Sequence, residues 1–183
     1  MMEMRGLVSA RPGPGGGVFV ADTGAQSRLA QITLGFDRGT ATLRDCVEVR
    51  DTLESLICRK AAEACTPEDV AAMNTIVDAM EEAIENDRAY LRLNWSLHRM
   101  IADLGANPAL LSMYRTLIDV LDEALDDFQF EPTTPASIET HRRLVEAIAD
   151  GTPAKINAAV ARHRRNSPLS RRLRAGGATA KRR

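Results

Sequence analysis

The residues best suited to chemistry are three histidines, the only ones in the 183-residue sequence. Each lies among apolar residues spaced three or four apart, and this spacing predicts one face of a helix. The three predicted faces are Leu91, Asn94, His98, Ile101; His141, Leu144, Val145, Ile148; and Ile156, Ala159, Val160, His163. Because scarce imidazoles on three separate helices all face inward, we expect them to share one site in a helical core.

The chemistry that these residue types favour is metal binding. Asn94 lies four residues before His98 and therefore on the same helical face. Imidazole nitrogen and amide oxygen are both metal ligands, so the set predicts a divalent-metal site with open positions for water or a ligand carboxylate. The alternative is that each histidine is a core residue that hydrogen-bonds a neighbour. A single histidine favours that alternative, whereas all three together favour the metal.

Arg50 is a second polar residue that is predicted to face inward. It shares a helical face with apolar residues at spacings of three and four: Leu43, Cys46, Leu53 and Ile57. A buried guanidinium needs an anion beside it. Two partners remain open, namely Glu54 one turn further along the helix and the carboxylate of a bound small molecule.

Catalysis has less support than binding. Three histidines and a metal can activate water, as in zinc hydrolases. However, no carboxylate on the histidine faces suits a general base, since Glu139 and Glu146 lie two and five residues from His141 and turn to other faces. No serine or cysteine stands beside a histidine as a nucleophile would. We therefore expect a protein that is not an enzyme, with a metal-dependent hydrolase as the alternative.

Helices are the elements that must position these side chains. Aromatic residues make up only 4% of the sequence, while Ala, Leu, Ile, Val and Met are plentiful, which favours helices over sheets. Helix starts are indicated by four pairs of a capping residue and a proline: Thr66-Pro67, Asn107-Pro108, Thr134-Pro135 and Thr152-Pro153. Gly105 and Gly151 stand where helices should end. The prediction is an all-α fold, an antiparallel bundle of about six helices over residues 42–65, 67–86, 87–104, 108–129, 135–150 and 153–166.

The two ends of the sequence differ from this bundle. Residues 6–10 and 18–20 are β-prone and flank a Gly/Pro-rich stretch, which predicts a small hairpin. Residues 23–41 are predicted to be a linker with a short helix near 26–34. Nine of the 24 Lys and Arg residues fall in 162–183 with no acid among them, so residues 167–183 are predicted to be a basic, disordered tail. A weak nucleic-acid contact of that tail is the alternative.

Composition also limits where the protein works. Cys46, Cys58 and Cys65 lack the spacing of a zinc finger, so reduced and mostly buried thiols are expected. No signal peptide or membrane-spanning run is visible in the sequence. These features predict a cytoplasmic protein that does not enter a membrane.

Several short motifs occur in a fixed order along the predicted bundle: Val49-Arg50 with Leu53-Glu54, Asn94 with Leu97-His98, Gly105-Ala106-Asn107-Pro108, the stretch 141–148, and the final helix 158–163. In order and spacing they resemble the GntR-type bacterial transcription regulators, in the FadR-like branch with an all-helical FCD ligand-binding domain. The resemblance covers about residues 42–166. It implies a homodimeric regulator in which effector binding changes DNA affinity.

The resemblance also implies roles for individual residues. Asn94, His98, His141 and His163 would hold a divalent metal such as Zn, Ni or Mn. The metal would in turn hold a small carboxylate effector, with Arg50 as an effector contact. Asparagine stands where many members have aspartate, which removes one negative charge from the site.

The N-terminal hairpin resembles a further part of the family. Residues 1–22 are similar to the end of a recognition helix followed by the wing of a winged helix-turn-helix, with Arg11, Gly15 and Gly16 as DNA contacts. Sequence readout needs a helix in the major groove, so we expect operator DNA to be a partner only of a complete protein. The favoured explanation is a start placed too late within a longer protein. The alternative is a natural truncation that acts only through dimerisation.

Overall fold

The computed structural model describes residues 8–11, 13, 16–20, 43–105, 107–123 and 133–167. The chain divides into two compact units, Met1–Thr42 and Leu43–Arg183. Several predicted features lie outside the described residues: the short helix near 26–34, the helical extension over 124–129, Gly15 and the tail from residue 168 onward.

The second unit contains six helices among the described residues: α1 (Leu43–Ala64), α2 (Pro67–Glu82), α3 (Asp87–Leu104), α4 (Pro108–Glu123), α5 (Pro135–Asp150) and α6 (Pro153–Asn166). The predicted six-helix fold is therefore confirmed. Helix α2 ends four residues earlier than predicted, because the Asn86 side chain accepts a hydrogen bond from the Ala89 amide at 3.1 Å and begins α3 instead.

Two of the four predicted helix caps are present. Thr66 and Asp69 form a reciprocal capping box, and Asn107 accepts a hydrogen bond from the Leu110 amide at 3.0 Å. The prediction is wrong for Thr134 and Thr152, whose side chains make no capping bond. The Thr134 hydroxyl lies 3.4 Å from another side-chain hydroxyl, that of Ser137, instead. We have no physical account of why the Thr152 side chain leaves its helix uncapped.

Helix α1 is central to the bundle and contacts α3, α4, α5 and α6, while α2 packs against α3 and α5, and α5 against α6. The three histidine-bearing faces are all buried, as their spacing predicts. On α1 the buried face is slightly rotated from the predicted one. Leu53 is only half-buried, whereas Glu54 is fully buried.

The first unit contains a two-stranded antiparallel sheet in the stretch where a hairpin is predicted. Strand β1 (Val8–Arg11) pairs with β2 (Gly17–Val20), with Val8 opposite Val20 and Arg11 opposite Gly17. Gly13 lies in the connecting turn at φ 109°, a conformation that few residues other than glycine adopt. That this hairpin derives from a winged helix stays a prediction.

Two further expectations concern composition. All three cysteines are free, with Cys46 and Cys58 buried and Cys65 half-buried. Among the described helices, none combines the length and the apolar character that a bilayer span requires.

Candidate metal centre

The three histidines converge from α3, α5 and α6 on one point in the core. His98, His141 and His163 each have an exposed fraction of 1–2%. Each can offer one ring nitrogen to a group in which all the atoms lie within 4.8 Å of one another. The Nε2 atoms of His141 and His163 are 3.1 Å apart. The fold thus brings the predicted histidines together as a group that could hold a metal ion.

The ring of His141 has its tautomer fixed by the backbone. Its Nδ1 lies 2.7 Å from the carbonyl oxygen of Ser137, and a carbonyl only accepts, so Nδ1 must donate. Burial, together with the nearby His163, lowers the pKa of His141 to about 3, which keeps the ring neutral. The Nε2 atom of a neutral ring that is protonated at Nδ1 carries a free lone pair.

Asn94 faces this lone pair. Its Oδ1 lies 2.8 Å from His141 Nε2, and His163 Nε2 approaches the same nitrogen. Two acceptors, the Nε2 lone pair of His141 and the side-chain oxygen of Asn94, therefore face each other. A cation between them would be coordinated by both. All four residues of the predicted ligand set lie together.

The Nδ1 atoms of the other two rings also have partners. His98 Nδ1 lies 3.4 Å from the Tyr114 hydroxyl and 3.4 Å from Glu54 Oε1. His163 Nδ1 lies 3.0 Å from the same Glu54 oxygen. The buried Nε2 of His98 has no hydrogen-bond partner within the described part of the chain. Each ring thus has its Nδ1 beside a polar neighbour, while the Nε2 atoms of His141 and His163 contact each other.

Glu54 is the functional residue that sequence reasoning missed. The prediction concerned carboxylates on the histidine faces, whereas Glu54 is fully buried on α1 and contacts two of the three histidines from there. From the sequence alone, Glu54 is predicted only as a possible intrahelical partner of Arg50. A signal was present, since Glu54 lies four residues after Arg50 and three before Ile57, on the face that is buried.

Arg50 is buried as predicted and has carboxylates beside it. Its Nη2 lies 2.8 Å from Asp51 Oδ1 and 3.6 Å from Glu54 Oε2, so the chain itself supplies anions. The guanidinium carbon also lies 5.8 Å from the ring centroid of Trp95. Burial alone would lower the pKa of Arg50, but the charges of Glu54 and Asp51 raise it above its usual range.

The electrostatics favour a neutral His98 and a neutral His141 near an ionised carboxylate. Burial lowers the pKa of both rings, in His98 well below its usual value and against the opposing influence of Glu54. Burial would raise the pKa of Glu54, but His163 and Arg50 outweigh it and lower that pKa. An ionised carboxylate therefore lies beside two of the histidines.

The predicted DNA contacts lie in the other unit. Arg11 is the last residue of β1, and exposed Gly16 donates its backbone N–H to the Gly13 carbonyl at 2.7 Å. Gly15 falls outside the described residues. Their role toward DNA stays a prediction.

The fold and site define a class of protein: an all-helical domain with a buried histidine cluster in its core. The chain belongs to the FCD domain family, whose family model matches residues 45–166. The resemblance that the sequence motifs indicate is thereby confirmed.

Curated relatives point to the same group of regulators. The HTH-type transcriptional repressors NanR of Salmonella typhimurium and Salmonella arizonae are each 25% identical to this chain over 119 residues. The aligned region covers 63% of this chain and 45% of each relative. The chain therefore spans about half the length of the curated relatives that it matches.

Solved structures share the fold. Streptococcus agalactiae GntR aligns with a TM-score of 0.58 at 21% identity, covering 94% of this chain and 77% of that one. E. coli McbR/YncC aligns with a TM-score of 0.55 at 16% identity, covering 95% and 78%. At these identities the likeness concerns the fold alone.

Proposed function

We propose that this protein is a ligand-responsive transcriptional regulator, and not an enzyme. Its helical domain, residues 42–166, would sense a small carboxylate effector through a bound divalent metal. Membership of the FCD domain family and the likeness to NanR repressors support a regulator. The metal is proposed from the geometry of the histidine cluster.

One observation carries the metal proposal: the unprotonated Nε2 of His141 faces the side-chain oxygen of Asn94 in the buried core. His141 Nε2 is unprotonated, since its Nδ1 donates to the Ser137 carbonyl. It lies 2.8 Å from Asn94 Oδ1 and 3.1 Å from His163 Nε2. An imidazole lone pair and an amide oxygen that face each other repel, and a cation bound between them would satisfy both.

The donor types suit a first-row metal. The Nε2 atoms of His141 and His163 lie 3.1 Å apart, so both could contact one ion. Three imidazoles and one amide oxygen, from His98, His141, His163 and Asn94, match the preferences of Zn, Ni or Mn.

A four-residue set leaves coordination positions for an effector. The bound metal would supply a Lewis acid that holds a carboxylate oxygen. Arg50 is proposed as a further effector contact, because its buried Nε has no hydrogen-bond partner among the described residues. A guanidinium with a spare donor beside a metal suits an anionic ligand.

We extend this proposal to the activity of the whole protein. Effector binding would alter the geometry of a homodimer and so change its affinity for operator DNA, a coupling typically worth about 1–3 kcal/mol. Residues 1–22 are proposed to belong to a winged helix-turn-helix, with Arg11, Gly15 and Gly16 touching DNA. Residues 23–41 would be the linker and residues 167–183 a basic tail.

The metal proposal is tested by loading the chelator-treated protein with Zn²⁺ and measuring binding by calorimetry. We expect one Zn²⁺ per chain and a higher melting temperature, because a ligand that binds only the folded state stabilises it. His98→Ala should lower the affinity at least about tenfold, by removing one ligand. The matched control is Asn107→Ala, which removes a polar side chain from an exposed helix cap instead.

The competing interpretation is that His141 is a core residue that accepts a hydrogen bond from an Asn94 amide turned the other way. It predicts no binding of Zn²⁺, Ni²⁺ or Mn²⁺ by the wild-type chain. It also predicts that His98→Ala leaves the metal response unchanged. Either result would overturn the proposed sensing mechanism.

A further inference from the structure

We propose that Glu54 is a positioning residue that holds the rings of His98 and His163 by their Nδ1 atoms, so that both present Nε2 to one metal. Through its other oxygen it connects the metal ligands to Arg50. This inference rests on the proposed metal binding, and it concerns a residue on α1, a helix that carries none of the proposed ligands.

The Glu54 carboxylate lies closer to the two histidines than to Arg50. Its Oε1 lies 3.0 Å from His163 Nδ1 and 3.4 Å from His98 Nδ1. Its Oε2 lies 3.6 Å from Arg50 Nη2. Arg50 already has a nearer carboxylate, that of Asp51 at 2.8 Å. Charge balance for Arg50 therefore does not by itself explain why a second carboxylate is buried in the core.

The ring contacts fit a supporting role beside a metal. A histidine that binds a metal through one nitrogen usually donates its other N–H to a carboxylate, a carbonyl or water. His141 has the Ser137 carbonyl for this purpose. His98 and His163 have Glu54 in the corresponding place, with the Tyr114 hydroxyl as a second neighbour of His98.

The present geometry leaves Glu54 incompletely satisfied. Neither of its oxygens has a well-aligned hydrogen bond among the described residues, although both face cationic or N–H groups at 3.0–3.6 Å. A fully buried carboxylate in that state needs strong electrostatic partners. Metal binding at the Nε2 atoms would fix both rings with their Nδ1–H groups as donors, and a metal-bound imidazole is a stronger donor than a free one.

The test compares two substitutions that each remove one negative charge next to Arg50. Glu54→Gln is expected to lower Zn²⁺ affinity about 10–100-fold, the range typical of lost outer partners of metal ligands. The reason is that the neutral amide oxygen of glutamine accepts ring N–H bonds more weakly than an ionised carboxylate oxygen does. Asp51→Asn is the control, and its Zn²⁺ affinity should stay within about twofold of wild type.

Three outcomes of the calorimetry would contradict the inference. Equal affinity in Glu54→Gln and wild type would overturn it while leaving the metal proposal intact. Equal losses in Glu54→Gln and Asp51→Asn would show that Glu54 acts only through the charge of Arg50. A wild-type chain that binds none of Zn²⁺, Ni²⁺ and Mn²⁺ would overturn both proposals together.

A measurement on the wild-type protein covers the case in which Glu54→Gln does not fold. Long-range ¹H–¹⁵N NMR spectra of the zinc-loaded chain report which nitrogen of each imidazole carries the proton. We expect a protonated Nδ1 and a zinc-bound Nε2 in both His98 and His163. Zinc on Nδ1 of either ring would overturn the inference, because that nitrogen could not then donate to Glu54.

Discussion

The nature of the contact between Asn94 and His141 depends on which ring nitrogen of His141 carries the proton. The Ser137 carbonyl accepts a hydrogen bond from the Nδ1–H group of His141, and the Nε2 lone pair is left facing an amide oxygen at 2.8 Å. The ring is neutral, since burial lowers its pKa. A neutral imidazole is the form that binds a metal, so this ring is prepared for a cation without first losing a proton.

Arg50 is a buried cation that lies beside two buried carboxylates, those of Asp51 and Glu54. We predict that Arg50→Met lowers the free energy of unfolding by about 3–5 kcal/mol, because it leaves Glu54 and Asp51 without their buried cation. Urea denaturation of the metal-free chain measures this change.

The matched control for that prediction is Arg142→Met. Arg142 lies at the surface, where it pairs with Asp78 and Glu81. Solvent screens such pairs, so we expect a loss of less than about 1 kcal/mol. Equal losses of unfolding free energy in the two variants would show that burial does not make the Arg50 ion pairs more stabilising than exposed ones.

At the scale of the elements, the start of α2 is the best-defined helix end. Thr66 Oγ1 accepts from the Asp69 amide at 3.2 Å, and Asp69 Oδ2 accepts from the Thr66 amide at 3.0 Å. Pro67 follows at the first helical position, where its missing N–H removes no intrahelical hydrogen bond. Local sequence alone specifies this helix end.

We predict that Thr66→Ala lowers the free energy of unfolding by about 1 kcal/mol, the usual value of a lost N-cap. Thr152→Ala is the comparison at α6, where the threonine makes no side-chain capping bond, and we expect little change. Thermal denaturation by circular dichroism measures both. An equal loss in the two variants would show that the observed difference in capping has no energetic consequence.

At the scale of the whole molecule, the chain divides into two compact units, Met1–Thr42 and Leu43–Arg183. Every proposed metal ligand, together with Arg50 and Glu54, lies in the second unit. The hairpin of the first unit contains the proposed DNA contacts Arg11 and Gly16. Sensing and DNA binding are therefore assigned to separate parts of the chain.

This division predicts that a shortened chain of residues 41–183 folds and binds Zn²⁺ with unchanged affinity. The physical reason is that the helical core is completed by contacts among α1 to α6. Calorimetry and thermal denaturation of the shortened and full chains provide the measurement. A loss of more than about tenfold in affinity would show that residues 1–40 help to form the site.

The sequence by itself determined the helices and the faces that they bury. Helix caps, prolines and apolar spacing are local, and they placed all six helices and turned His98, His141 and His163 inward. The same spacing put Asn94 on the face of His98. A cluster of histidines in the core was predicted because the sequence has only three of them and each lies on the apolar face of its helix.

Only the tertiary structure decided how these faces meet. Periodicity orients a side chain about the axis of its own helix, but not toward a particular neighbour on another helix. The position of Glu54 between His98 and His163 depends on how α1 packs against α3 and α6. On α1 the predicted inward residues Cys46, Arg50 and Ile57 are buried, but the buried face includes Glu54 in place of Leu53. The packing of α1 against the other helices therefore places the Glu54 carboxylate beside two of the histidines.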